Sequence, residues 1–116
     1  MTEEKELTEV TKELLNRTND LKESTKHSMI KGEVNIIRGI NIFEIIIKDI
    51  NPESINEVEI NKIHKYVDTY MMQKEELTQS VNNYIHQGIT LCYGILHFYF
   101  KEIKRKTLKY NENHTI

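Results

Sequence analysis

Residues Leu77 to Phe100 read LTQSVNNYIHQGITLCYGILHFYF, a stretch without Asp, Glu, Lys or Arg in a chain that is 29% charged. Leu77, Val81, Tyr84, Gly88, Leu91, Ile95 and Phe98 recur at steps of four and three, and Ile85, Ile89, Cys92, Leu96 and Tyr99 form a second row beside them. Two adjacent rows make the wide apolar stripe of a helix covered on more than one side. The stretch is expected to be the spine of a helical bundle, with the other segments wrapped around it.

At 116 residues the chain reads as a single helical domain over 1–116, large enough to bury a core without metals or disulfides. Its lone cysteine, Cys92, excludes an internal disulfide framework and points to a reducing compartment, the cytoplasm. The N-terminus MTEEKELTEVTKELL is acidic and amphipathic rather than basic and then apolar, so no secretory signal is read. Asn82, Asn83, His86 and Gln87 make the charge-free stretch too polar to be buried in a bilayer. The formal net charge of −2 argues against a protein that coats nucleic acid, which needs a large positive surface.

Outward from the spine, the segment from about Glu3 to Ile30 places Leu7, Val10, Leu14, Leu21 and Met29 on one face, with Thr18 and Thr25 between them. It reads as an edge helix, closed near Gly32 by a left-handed residue. From Glu33 to Ile50, Ile36, Ile40, Phe43, Ile47 and Ile50 keep the four-three step. That periodicity outweighs the strand propensity of Ile45-Ile46-Ile47. Asn51-Pro52-Glu53 ends this helix, and Asn51 is expected to cap the next one from Glu53. The third helix, to about Gln73, carries Ile55, Val58, Ile63, Val67, Tyr70 and Met71 on one side, and a turn is expected near Gln73 to Glu76.

The expected fold is an all-α, four-helix up-down-up-down bundle. The alternative is a long antiparallel helical hairpin that dimerises, which requires both halves to be unbroken. In the bundle the acidic Glu3 to Glu13 region would lie beside the basic end of the last helix, and 110–116 would be a frayed tail. Gly88, in the main apolar row, is expected to mark the close approach of another helix, since an interior glycine otherwise costs up to about 1 kcal/mol.

Chemistry-bearing patterns are few. His86 and His97 share a helix face but lie roughly 16 Å apart along the axis, too far to share an ion, so no metal or cofactor site is read. His27-Ser-Met-Ile-Lys31-Gly32 exceeds the His-x-x-Lys-Gly signature of histidine phosphotransfer domains by one residue, which turns the lysine about 100° away on a helix. Cys92 sits in an apolar row, whereas a catalytic thiol needs an electropositive, open site. With no phosphate loop, paired carboxylates or nucleophile elbow, no catalytic residue is assigned and no enzyme is expected.

Aromatic residues crowd the last helix. If Phe98 and Tyr99 face inward, Tyr93 and Phe100 face sideways or out, and exposed aromatic clusters mark partner surfaces. Tyr84, Tyr93, His97 and Phe100 are therefore the candidate partner-binding residues of a non-enzymatic interaction module, or of an obligate homo-oligomer. Lys101, Lys104, Arg105, Lys106 and Lys109 form a basic patch, the alternative surface for a small regulator touching nucleic acid.

Lys31-Gly32-Glu33 followed by Asn35-Ile-Ile-Arg-Gly39-Ile-Asn-Ile-Phe43, and Asn83-Tyr84-Ile85 followed by Gly88, Leu91, Tyr93 and Ile95, resemble a family of small helical Firmicutes proteins of unknown function. In that family a Lys/Glu-Gly turn precedes an apolar helix and an Asp-Tyr opens the last one; here Asn83 stands in the acidic place. The resemblance implies a four-helix fold and supplies no catalytic residues. In size and helix content the chain is more distantly similar to flagellar and secretion chaperones, which grip a partner's helix in a groove.

Overall fold

The computed structural model describes residues 6–72 and 78–114, with side chains through Leu108. Four helices span them: α1 Glu9–Ser28, α2 Glu33–Ile50, α3 Glu57–Met72 and α4 Gln79–His114. No strand occurs among the described residues, so the isoleucine run of α2 is helical, as its periodicity requires. The turn expected at Gln73 to Glu76 and the first residue of the charge-free stretch, Leu77, lie outside the described residues.

Local chemistry sets the helix ends. α1 starts at Glu9 rather than Glu3, because the Thr8 side chain accepts from the Thr11 amide and caps the first turn. It stops at Met29, which is left-handed (φ 53°), and Gly32 (φ 78°) opens α2 from the same region. That break removes the unbroken first half that a long hairpin needs. Asn51 does not cap the following helix. It is itself left-handed (φ 48°), closes α2 through its backbone amide to Ile47, and turns its side chain back onto α1. There Oδ1 accepts from the Thr8 amide and the Thr11 hydroxyl, both at 2.9 Å, while Nδ2 donates to the Glu6 carbonyl at 3.1 Å. Asn56 supplies the cap instead, accepting from the Glu59 amide, and α3 begins at Glu57 rather than Glu53.

α2 and α4 form the most extensive helix pair, α1 packs mainly on α2, and α3 is held chiefly by α2. The α2–α4 contact is closed by two glycines that answer each other. A Cβ on Gly39 would overlap the carbonyl oxygen of Ile85, and one on Gly88 would overlap that of Ile36. Close approach thus explains Gly88, and Gly39 is its counterpart; backbones this near also favour Cα–H···O contacts. Contacts rise together along the two helices, with Gly32 against Tyr84, Gly39 against Ile85 and Phe43 against Tyr93. Along α1 and α2 they run oppositely, Thr11 meeting Asn51 and Lys22 meeting Asn41.

Around this seam Ile36, Ile40, Phe43, Ile47, Ile63, Val67, Ile85, Ile89, Cys92 and Leu96 are buried. The buried row of α4 is therefore the second of the two, Ile85-Ile89-Cys92-Leu96. Leu91 and Phe98 from the first row are exposed, Phe98 at 58%, because α1 and α3 flank the spine without closing over that side. α1 buries Thr11, Thr18 and Thr25 with Leu14. Their hydroxyls stay satisfied: Thr25 donates to the Leu21 carbonyl, and Thr18 reaches both the Leu15 carbonyl and Glu44 Oε2 (2.7 Å). Glu44 in turn accepts from Lys22 at 2.5 Å, in an ion pair largely withdrawn from solvent.

At 36 residues α4 is about 54 Å long, far longer than its partners of 20, 18 and 16 residues. It continues as helix through Tyr110–His114, the segment that composition reads as a tail. Its C-terminal half consequently has fewer neighbours than its middle.

Candidate functional site

The aromatic flank of α4 is divided among three neighbours. Tyr84 lies against Gly32 at the start of α2. Tyr93 lies under α3: its ring stacks on His64 (centroids 3.9 Å apart, planes 24° apart) and meets Phe43 edge-on at 6.3 Å. Its hydroxyl is buried with no hydrogen-bond partner, and burial, with Asp68 adding to it, pushes the phenol up to about 12. Phe98 and Tyr99 lie beneath Arg17 of α1, whose guanidinium carbon is 6.0 and 4.9 Å from their ring centres. Arg17 also pairs with Glu13 at 3.0 Å and with Glu102 at 2.8 Å. The contact between α1 and this part of α4 is thus made by a basic residue of α1 and an acidic one of α4, and among the described residues no cation of the basic patch pairs with an acid of α1.

Phe100 faces a groove. Between the α3 entry and the overhanging half of α4 lies a cavity of about 490 Å³ whose apolar lining is Ile55, Val58, Phe100, Ile103 and Leu108. Phe100 and Glu57 also border a second, adjacent hollow with Ile60, Asn61 and His97. Phe100, Ile103, Thr107 and Leu108 share a helix face by their spacing. Val58 is 74% exposed and Leu108 56%, an unusual cost for apolar side chains at facing positions. Of the four residues expected to bind a partner, Phe100 lines both hollows and His97 the second, whereas Tyr84 and Tyr93 pack against other parts of the chain.

Lys101, Lys104, Arg105 and Lys106 are exposed along the same half of α4. None of the four makes an ion pair among the described residues, while the Lys104 ammonium sits 5.9 Å from the Phe100 ring centre, at the groove wall. The Lys109 side chain lies outside the described residues.

One pairing has no signal in the sequence. His64 and His97 face each other across α3 and α4 with their Nε2 atoms 3.3 Å apart. Burial first, and His97 second, hold the His64 imidazole below its ordinary value of 6.5, with Asp68 opposing. Cys92, by contrast, is fully buried, and burial, with Glu44 nearby, pushes its thiol up to about 12. No described helix is long and apolar enough to cross a membrane. No family model, curated protein or solved structure matches this sequence.

Proposed function

We propose that this chain is a non-enzymatic protein-interaction module, an up-down-up-down four-helix bundle that takes an amphipathic helix of a protein partner into the groove between α3 and the C-terminal half of α4. The observation that carries this reading is the apolar groove itself, open to solvent and lined by Ile55, Val58, Phe100, Ile103 and Leu108. A helix laid there would insert apolar residues at i, i+3 or i+4 and i+7, the spacing that helix-in-groove recognition uses. Charge selects the occupant. Lys104 lines the groove, opposite Glu57, and Lys101 and Arg105 are exposed beside it on α4 without an ion pair among the described residues, so the complementary helix carries Glu or Asp beside its apolar stripe on the α4 side.

The test uses two synthetic amphipathic helices of equal length with leucine stripes, one with a glutamate polar face and one with a lysine face. The acidic peptide is expected to bind, and Val58→Asp and Leu108→Asp, both at exposed positions, each to reduce its affinity at least tenfold. A duplex DNA and a single-stranded RNA at low salt form a second arm, and sedimentation of the free chain a third. Nucleic acid bound while the acidic peptide is ignored would transfer the function to the basic patch. Self-association abolished by Val58→Asp would make a second copy the occupant. Either result overturns the proposal.

A further inference from the structure

We propose that His64 and His97 are the protein ligands of a site for one borderline divalent transition ion, with zinc as the type ion, joining α3 to α4. Zinc binds imidazole nitrogen at about 2.0–2.1 Å in tetrahedral geometry, which sets two nitrogen ligands on one ion about 3.3–3.4 Å apart. The two Nε2 atoms are 3.3 Å apart, a separation that serves a hydrogen bond between the imidazoles and equally matches two ligands of one tetrahedral ion. A square-planar ion would need its adjacent nitrogens nearer, at about 2.9 Å for the same bond length.

The donors are also held in place. His64 is fixed by stacking on Tyr93, and Tyr93 is fixed edge-on against Phe43, which is fully buried. One ligand therefore stands on a platform anchored in the core, and the other, His97, projects from α4, the longest helix. His97 is exposed and borders the hollow beside Phe100, so an ion can reach the pair from solvent.

Among the described residues no group of three or more His, Cys, Asp and Glu is placed to hold a metal. Two protein ligands leave two positions to water or to the same pair on a second copy, which makes this an exchangeable site rather than a closed structural one. The inference does not depend on the groove's occupant. A bound ion would tie α3 to α4, a contact otherwise made by few side chains, and would fix the width of the hollow next to it.

Zinc chloride is titrated calorimetrically into the full chain carrying no histidine tag, with magnesium chloride as the hard-cation control. Saturable binding of one zinc per chain, or one per two chains, is expected. His64→Gln and His97→Gln should each weaken it at least tenfold, and His86→Gln, an exposed histidine elsewhere on α4, should not. His97 is exposed, so His97→Gln keeps the test valid even if His64→Gln loosens α3; circular dichroism checks both. No saturable zinc binding, zinc affinity undiminished in His97→Gln, or magnesium bound equally well would each overturn the proposal.

Discussion

Three glycines lie inside helices of this chain, and alanine at each should give a different answer. Replacing an interior helical glycine by alanine gains up to about 1 kcal/mol of helix propensity. At Gly94 an added Cβ meets nothing within 4 Å, so the gain should appear undiminished, raising Tm by about 4 °C for a chain of this size. At Gly39 the same methyl group would overlap the Ile85 carbonyl oxygen and lie 3.2 Å from the Ile89 amide nitrogen. Both obstacles are backbone, which cannot rotate away. α2 and α4 must then separate by on the order of 1 Å, and a gap of that size forfeits a quarter to a half of each dispersion contact across the seam. Overpacking of this kind costs about 1–3 kcal/mol, and the rigid obstacle puts Gly39 at the upper end. The net loss after the propensity gain is about 2 kcal/mol, a fall of about 8 °C in Tm. Gly88→Ala should match it, because its Cβ overlaps the Ile36 carbonyl in the reciprocal way. The double variant should lose less than the sum, since helices already pushed apart accommodate the second methyl cheaply. Calorimetric melting of the four variants decides the matter. If Gly39→Ala melts above the wild type, as Gly94→Ala is expected to, the close crossing of α2 and α4 is refuted.

Asn51→Ala removes three hydrogen bonds to the start of α1 and places alanine in a left-handed conformation, at a combined cost of about 2–4 kcal/mol in urea unfolding. Asn51→Gly keeps the backbone and loses only the bonds, so it should fall between. Lys22→Met leaves the Glu44 carboxylate with the Thr18 hydroxyl but without its cation; a loss of about 1–2 kcal/mol is expected in the same assay, and no loss would mean the pair is solvated. Cys92, buried and with its thiol pushed up to about 12, should resist a disulfide reagent at pH 8 in the native chain and react fully in denaturant. Rapid native labelling would contradict its place in the core.

Much of the helical framework is legible in the residues themselves. The four-three step identifies α2 as helical against its β-branched composition, Gly32 and Asn51 mark breaks, and the two rows of α4 contain the buried set. Periodicity is local, and it shows which face of a helix is apolar. It does not show which neighbour covers that face, so the choice between the two rows, and the exposure of Phe98 under Arg17, follow only from how α1 and α3 flank the spine. Asn51 reads as a cap for whatever follows it, but its side chain is claimed by α1, a segment more than forty residues away.

The candidate sites depend still more on the tertiary arrangement. Phe100 and His97 stand out as aromatic residues of one helix, yet the groove exists only because α4 outruns α3. Equal spacing about a turn at Gln73 to Glu76 would set His64 opposite Ile85 or His86. The folded chain sets it opposite His97, because α3 docks further along α4. Residue spacing fixes each helix and its apolar stripe, since backbone hydrogen bonds and side-chain direction are short-range. The offset between α3 and α4 comes from packing between surfaces distant in sequence, and it brings His64 within 3.3 Å of His97, a pairing that residue spacing does not show.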